Sequence, residues 1–264
     1  MRILFVGDVF GNAGRRIVSE HLPHVIENHA VNLVVVNGEN AAGGFGLTPG
    51  ISDELFDLGA DVITTGNHVW DKRELMEYVN VPADSTDRPR RIIRPANYSP
   101  GNPGYGLYEG TLADGQTYAV MNLQGRVFMA TNDDPFRTAD ELLSKIRAKV
   151  ILLDFHAEAT SEKVAMGWHL DGRVTAVLGT HTHVPTADER ILPNGTAYQT
   201  DVGMSGPYDS VIGVERDIIL QRFKTGLPAK FEPAKGNPKM CAALIECDGA
   251  TGRATSIRRL MLGE

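Results

Sequence analysis

Short apolar runs alternate with longer amphipathic stretches along most of this chain. Residues 3–6, 33–36, 62–63, 150–153 and 174–178 are rich in Val, Ile and Leu and carry no charged side chain. Runs so short, without a polar face, predict strands buried on both sides, as in a parallel sheet. Helical signals fall between them. Thr48 followed by Pro49 predicts a capped helix start, with a stop at Gly59. Asp71 with Glu74, and Thr138 with Glu141, have capping-box spacing ahead of two further helices. Strands alternating with helices predict an α/β fold.

Two regions break the alternation. Residues 80–135 hold six of the fourteen prolines, and their clearest pattern is a hairpin turning at Asp114-Gly115. This segment reads either as an excursion that roofs a site or as a structureless surface loop. After Pro193-Asn194-Gly195 the chain is strand-rich, with runs at 241–247 and 255–262, which predicts a second, mixed sheet. Neither a repeat nor a Pro/Ser-rich linker divides the sequence, so one domain over residues 1–264 is expected.

The residues just beyond each apolar run carry the candidate chemistry. In chain order they are Gly7-Asp8, Gly38-Glu39-Asn40, Gly66-Asn67-His68, Asp154-Phe155-His156 and Thr180-His181-Thr182-His183. In an open α/β sheet the carboxyl ends of the strands share one edge, where ligands bind. Singly, each has a plainer role: Asp8 as a helix cap, Asn67 in a turn, His156 as a satisfied histidine. His181-x-His183 is stronger, because alternate residues at a strand end face the same way. Together they form a set of oxygen and imidazole donors without a thiolate, which suits Mn²⁺, Fe²⁺ or Zn²⁺. Seven donors exceed one tetrahedral site. A pair of ions roughly 3.5–4 Å apart, sharing Glu39 as a bridging carboxylate, accommodates them.

Composition and charge narrow the partners. At 42% hydrophobic and 22% charged residues the chain is an ordinary globular protein. Its formal charge of −7 argues against an extended nucleic acid or an anionic membrane as partner. Two divalent cations, adding +4, would bring it to −3 and make the sheet edge locally attractive to a small anion. Arg88, Arg90, Arg91 and Arg94 form the densest basic cluster and read as an exposed loop. Cys241 and Cys247 lie on one predicted strand, about 20 Å apart, and are expected to be free. No apolar run approaches the ~18 residues of a membrane span, and Gly7-Asp8 interrupts the first run, so a cytoplasmic location is expected. His21, His24 and His29 read as solvent-facing, and His169 has no motif around it. Gly7 to Gly14 and Gly43 to Gly46 lack the spacing of a P-loop or dinucleotide fingerprint.

These motifs resemble those of the calcineurin-like metallophosphoesterases. Asp8, Gly38-Glu39, Gly66-Asn67-His68, His156 and His181-Thr182-His183 stand where that superfamily has its ligand motifs. Phe10 replaces the usual first histidine, and Glu39-Asn40 replaces an aspartate. Those departures, with Asn122-Leu123-Gln124-Gly125-Arg126 and Thr200-Asp201-Val202-Gly203-Met204, resemble the YmdB-like bacterial cyclic-nucleotide phosphodiesterases, from residue 1 to about 260.

The resemblance implies a four-layer α/β/β/α sandwich with a dinuclear site. One ion would take Asp8, Glu39, Asn40 and His183; the other would take Glu39, Asn67, His156 and His181. Iron or manganese is expected, with zinc as the alternative. His68 would be the general acid, and a hydroxide shared by the two ions the nucleophile. The implied activity is hydrolysis of 2′,3′- and/or 3′,5′-cyclic nucleotides. Beside it stand another phosphoester hydrolase (nucleotidase, phosphatase or nuclease) and a nucleotide-sensing regulator with incidental hydrolysis. A homo-oligomer is left open.

Overall fold

Alternate side chains of each apolar run enter two different cores, and that sorting builds the architecture. The structure is a computed structural model describing residues 1–263; Glu264, the last residue of the expected domain, lies outside them. The chain begins β1 (Arg2–Val6), α1 (Gly11–His29), β2 (Leu33–Asn37), α2 (Pro49–Asp57), β3 (Val62–Thr64), α3 (Arg73–Tyr78) and β4 (Ile92–Ile93). It continues β5 (Leu107–Thr111), β6 (Thr117–Gln124), α4 (Pro135–Leu143), β7 (Val150–His156), α5 (Thr160–Leu170) and β8 (Ala176–Thr180). It ends β9 (Arg190–Ile191), β10 (Ala197–Gln199), β11 (Gly206–Pro207), α6 (Arg216–Thr225), β12 (Pro238–Cys247) and β13 (Ala254–Gly263).

One sheet has the order β11-β12-β1-β2-β3-β4, with β13 also on β12; the other runs β5-β6-β7-β8-β10-β9. Strands β1 to β4 are parallel, as are β6, β7, β8 and β10. In β1, Leu4 and Val6 pack with Ile17, Val18 and Leu22 of α1, whereas Ile3 and Phe5 join Val120, Val150 and Leu152 of the other sheet. In β7, Ile151, Leu153 and Phe155 turn the opposite way, to Ala139 of α4 and to Met166 and Leu170 of α5. The layers are therefore helices, sheet, sheet, helices, the α/β/β/α sandwich expected. Period-two alternation inside wholly apolar runs is what lets each strand serve two cores.

Several expectations need correction. The second sheet is not a C-terminal structure. It begins at β5, takes β7 and β8 from the predicted parallel runs, and gains only β9 and β10 from the later chain. The long strands β12 and β13 instead extend the first sheet, β12 antiparallel to β1. The segment 80–135 is neither roof nor structureless loop, since it supplies β4, β5 and β6, and β6 pairs with β7 over seven residues. Its hairpin does turn at Asp114-Gly115, with Gly115 at φ 86.

Two predicted caps are used otherwise. Thr48 caps α2 through Ile51 N–H, but α4 starts at Pro135 under Asp134, three residues before Thr138. Helix α3 has no side-chain cap, because Asp71 is engaged by His68. The arginine cluster is half-buried rather than exposed: Arg88 pairs with Asp53 and Asp57, Arg90 lies over Tyr105, and Arg91 lies over Phe56. Cys241 and Cys247 are free and buried. No helix among the described residues is long and apolar enough to cross a membrane.

Candidate metal centre

The carboxyl ends of the two parallel strand sets meet at one edge, so the five motifs converge from two sheets rather than one. Hydrogen bonds between the sheets hold that edge shut. Asn37 Nδ2 donates to Asp154 Oδ2 at 2.9 Å, and Asn122 Nδ2 donates to the Thr65 carbonyl at 2.9 Å. Gly66 is required there, because a side chain at that position would run into Glu39 and His156. Gly7 likewise leaves room for the Gly203 carbonyl.

All seven expected donors come together. Glu39, His156 and His181 form one group, and Asp8, Glu39 and His183 a second, each with donor atoms within 4.8 Å of one another. Glu39 belongs to both. Asn67 Oδ1 lies 2.9 Å from His156 Nε2, which places it with the first group. The Asn40 amide lies 3.0 Å from Glu39 Oε1 and 3.2 Å from His183 Nε2, which places it with the second. Its nitrogen faces them, and a half-turn about the Cβ–Cγ bond would present the oxygen.

Each histidine has its other ring nitrogen fixed. His156 Nδ1 meets Thr180 Oγ1 at 2.9 Å, and that hydroxyl donates to Asp154 Oδ1 at 2.6 Å. His183 Nδ1 meets the Ile212 carbonyl at 2.9 Å, and His181 Nε2 lies 3.2 Å from Glu158 Oε2. Such partners set which nitrogen is left with a lone pair.

His181 and His183 do not sit on alternate positions of a strand. They follow β8 in a left-handed turn, at φ 95 and 66, and go to different groups. Backbone strain of this kind persists only where neighbours impose it. Asp201, fully buried, accepts from Thr182 N–H at 3.1 Å, Thr182 Oγ1 at 2.6 Å, Gly203 N–H at 2.8 Å and Lys163 Nζ at 2.7 Å.

Burial drives Asp8 up to about 7, helped by Asp201 and Glu39 and opposed by His183 and His156. Burial acts the same way on Glu39, but His156, through charge and a hydrogen bond, outweighs it and holds Glu39 near 2. His156 is correspondingly raised, its own burial overcome by Glu39. Burial and the neighbouring His156 push His181 down to about 3.

The donor set fits divalent cations on two counts. Asn67 Oδ1, His181 Nδ1 and Glu39 Oε1 all approach His156 Nε2, at 2.9, 3.1 and 3.2 Å, and one proton can serve one of them. Asp8 Oδ1 is buried with no hydrogen-bond partner among the described residues. Lone pairs converging without donors are the signature of a cation site.

His68 lines a cavity of about 260 Å³ beside this cluster, with Phe10, Phe45, Ile212, Val214 and Phe231. Its Nδ1 lies 2.8 Å from Asp71 Oδ2, and its ring stands edge-on to Phe45 at 5.0 Å. Glu158 and Lys163 were not singled out from sequence, Asp71 was read only as a helix cap, and Asp201 stood only in a motif that carries the family resemblance. Asp71 and Glu158 stand three and two residues beyond a candidate histidine, a spacing that could have flagged them. Lys163 carried no signal.

The model of the YmdB-like protein family matches residues 4–260. This chain belongs to that family. It is 49% identical over 266 residues to a 2′,3′-cyclic-nucleotide 2′-phosphodiesterase of Bacillus subtilis (strain 168), covering 100% of this chain and 98% of the relative. A crystal structure of a hypothetical protein from Thermus thermophilus superposes with a TM-score of 0.92 at 43% identity, over 100% of both chains. The crystal structure of a novel phosphatase from Mycoplasma pneumoniae gives a TM-score of 0.92 at 34% identity, over 100% of this chain and 93% of the other. The family expected from the motifs is therefore the one found.

Proposed function

We propose that this chain is a metal-dependent phosphodiesterase that hydrolyses cyclic nucleotides, 2′,3′-linked, 3′,5′-linked or both. The observation that carries the reading is the pair of donor groups sharing Glu39. The activity named for the Bacillus subtilis relative supports it and favours the 2′,3′ class. Asp8, Glu39, Asn40 and His183 would hold one divalent cation, and Glu39, Asn67, His156 and His181 the other, with iron or manganese ahead of zinc. Such cations supply Lewis acidity toward phosphoryl oxygens and render water acidic enough to act as a nucleophile at neutral pH.

The chain's own residues do the rest. With Asp71 on Nδ1, His68 keeps Nε2 as the nitrogen for proton transfer to the leaving oxygen. In the reaction one P–O bond forms to the oxygen of water and one P–O bond to the ribose breaks. One proton reaches the ribose oxygen, and the other water proton is released. The cavity is small and apolar on one side, which suits a nucleoside better than a polymer.

His68→Ala is expected to lower turnover by about 10²- to 10⁴-fold with metal content unchanged. Loss of metal, or full activity, would remove His68 from this role. The wider test loads purified protein with Mn²⁺ or Fe²⁺, measures ions per chain, and assays both cyclic classes beside mononucleotides and short RNA. Hydrolysis of cyclic nucleotides by protein carrying two ions is the expected result. Well under one ion per chain overturns the dinuclear reading, and loaded protein inert on both classes overturns the activity.

A further inference from the structure

The Mycoplasma pneumoniae relative is called a phosphatase, and diesters and monoesters of phosphate differ by one charge at neutral pH. The lining of the cavity bears on which of them the site admits. Among the described residues it contains Glu39, Glu158 and three histidines, and neither lysine nor arginine. Three basic side chains are committed elsewhere. Lys163 is buried against Asp201, Arg126 pairs with Asp134 at 3.1 Å, and Arg222 lies over the Phe231 ring at 4.9 Å. Glu39 belongs to the donor cluster. Glu158 does not, and its side chain remains 47% exposed.

Glu158 lies in the turn between β7 and α5, two residues after His156. Its Oε2 faces His181 Nε2, which leaves His181 Nδ1 turned toward His156 at 3.1 Å. The carboxylate is therefore held at the boundary between the donor cluster and the open cavity. We propose that Glu158 makes the site selective for phosphodiesters over phosphomonoesters, by repelling the second negative charge of a monoester. This rests on the phosphodiesterase reading above. The cations needed for hydrolysis attract both substrates, so a fixed negative charge beside them is what discriminates. The same repulsion would hasten release of the monoester product.

The test compares wild type, Glu158→Gln and Glu158→Asp, each loaded with Mn²⁺ and assayed for metal content. The substrates are bis(4-nitrophenyl) phosphate and 4-nitrophenyl phosphate at pH 8, and inorganic phosphate binding is measured by calorimetry. Glutamine can still accept from His181, so Glu158→Gln removes the charge while keeping the contact. Its ratio of monoester to diester kcat/KM is expected to rise about tenfold, and inorganic phosphate to bind about tenfold more tightly. Glu158→Asp keeps the wild-type ratio. The ratio does not depend on the fraction of loaded enzyme, so weaker metal binding alone leaves it unmoved. A Glu158→Gln ratio and phosphate affinity within about twofold of wild type overturn the proposal. If wild type cleaves no diester, the phosphodiesterase reading fails by itself, and phosphate affinity still decides the role of Glu158.

Discussion

The two donor groups treat their shared Glu39 in unlike ways. Around His156 there are more acceptors than protons, and the ring is fully buried and braced through Thr180 to Asp154 within the second sheet. Around Asp8 there is an oxygen with no partner, and the facing histidine hangs from loops. His183 follows a left-handed turn, stands edge-on to Phe10 at 5.6 Å, and reaches the carbonyl of Ile212, itself at φ 47. The first group is anchored on a strand through His156 alone, and the second is loop-built throughout. The same ligand chemistry thus rests on different supports, joined by the shared Glu39, by Thr182 and by the His181 N–H, which lies 3.4 Å from Asp8 Oδ2.

Deleting the first link should have the largest effect. Glu39→Ala takes a carboxylate from both groups, and turnover is expected to fall on the order of 10⁴-fold, with less than one ion retained per chain. Retention of two ions would separate the groups and undo the comparison. The second link acts through Asp201, which holds Thr182 between the two histidines. Asp201→Asn leaves Lys163 buried without its counter-charge, so unfolding by denaturant should show a loss of about 3–5 kcal/mol. Metal affinity should drop about 10- to 100-fold in the same variant. A stability within about 1 kcal/mol of wild type would mean that the turn holds itself.

The difference between the groups also explains what sequence could reveal. Asp8, Glu39, Asn67, His156 and His183 were legible because each follows an apolar run, and strand ends are where open sheets place ligands. The distribution of those runs over two sheets was not legible. Runs 33–36 and 150–153 look alike in composition, and nothing local says that β7 pairs with β6 rather than with β3. Strand β6 was legible as the second arm of the Asp114-Gly115 hairpin but not as the neighbour of β7, and β12 read as part of a separate sheet although it pairs with β1. Supporting residues were hardest of all. Asp71 has the spacing of a helix cap and serves a histidine instead. Lys163 looks like any solvent-facing helical lysine until Asp201 is placed beside it.

Protonation offers a gentler probe of the same contrast in chelator-treated protein. The folded-state pKa of Asp8 is raised, to about 7, so its contribution to stability is full below the unfolded value near 3.8 and is lost as pH rises through 7. Glu39 has the opposite sign. It is depressed to about 2, and its contribution is present above 4.5 and lost only as pH falls through 2. Between pH 5 and 7, therefore, Asp8 titrates and Glu39 does not. Asp8→Asn should gain about 2 kcal/mol relative to wild type on going from pH 5 to pH 7. A difference independent of pH would show that the loop-built group does not strain Asp8.

The smallest expected effect lies outside both groups, at Asp71. Its carboxylate is 44% exposed and meets a His68 ring that is 29% exposed, so solvent screens much of the attraction. In Asp71→Asn the amide oxygen can still accept from Nδ1, which preserves the ring's orientation and removes only the charge. Turnover is expected to fall about three- to tenfold, with KM and metal content unchanged. A loss beyond about a hundredfold would instead make Asp71 as integral to proton transfer as His68, and the functional cluster would then extend past the two donor groups to the start of α3.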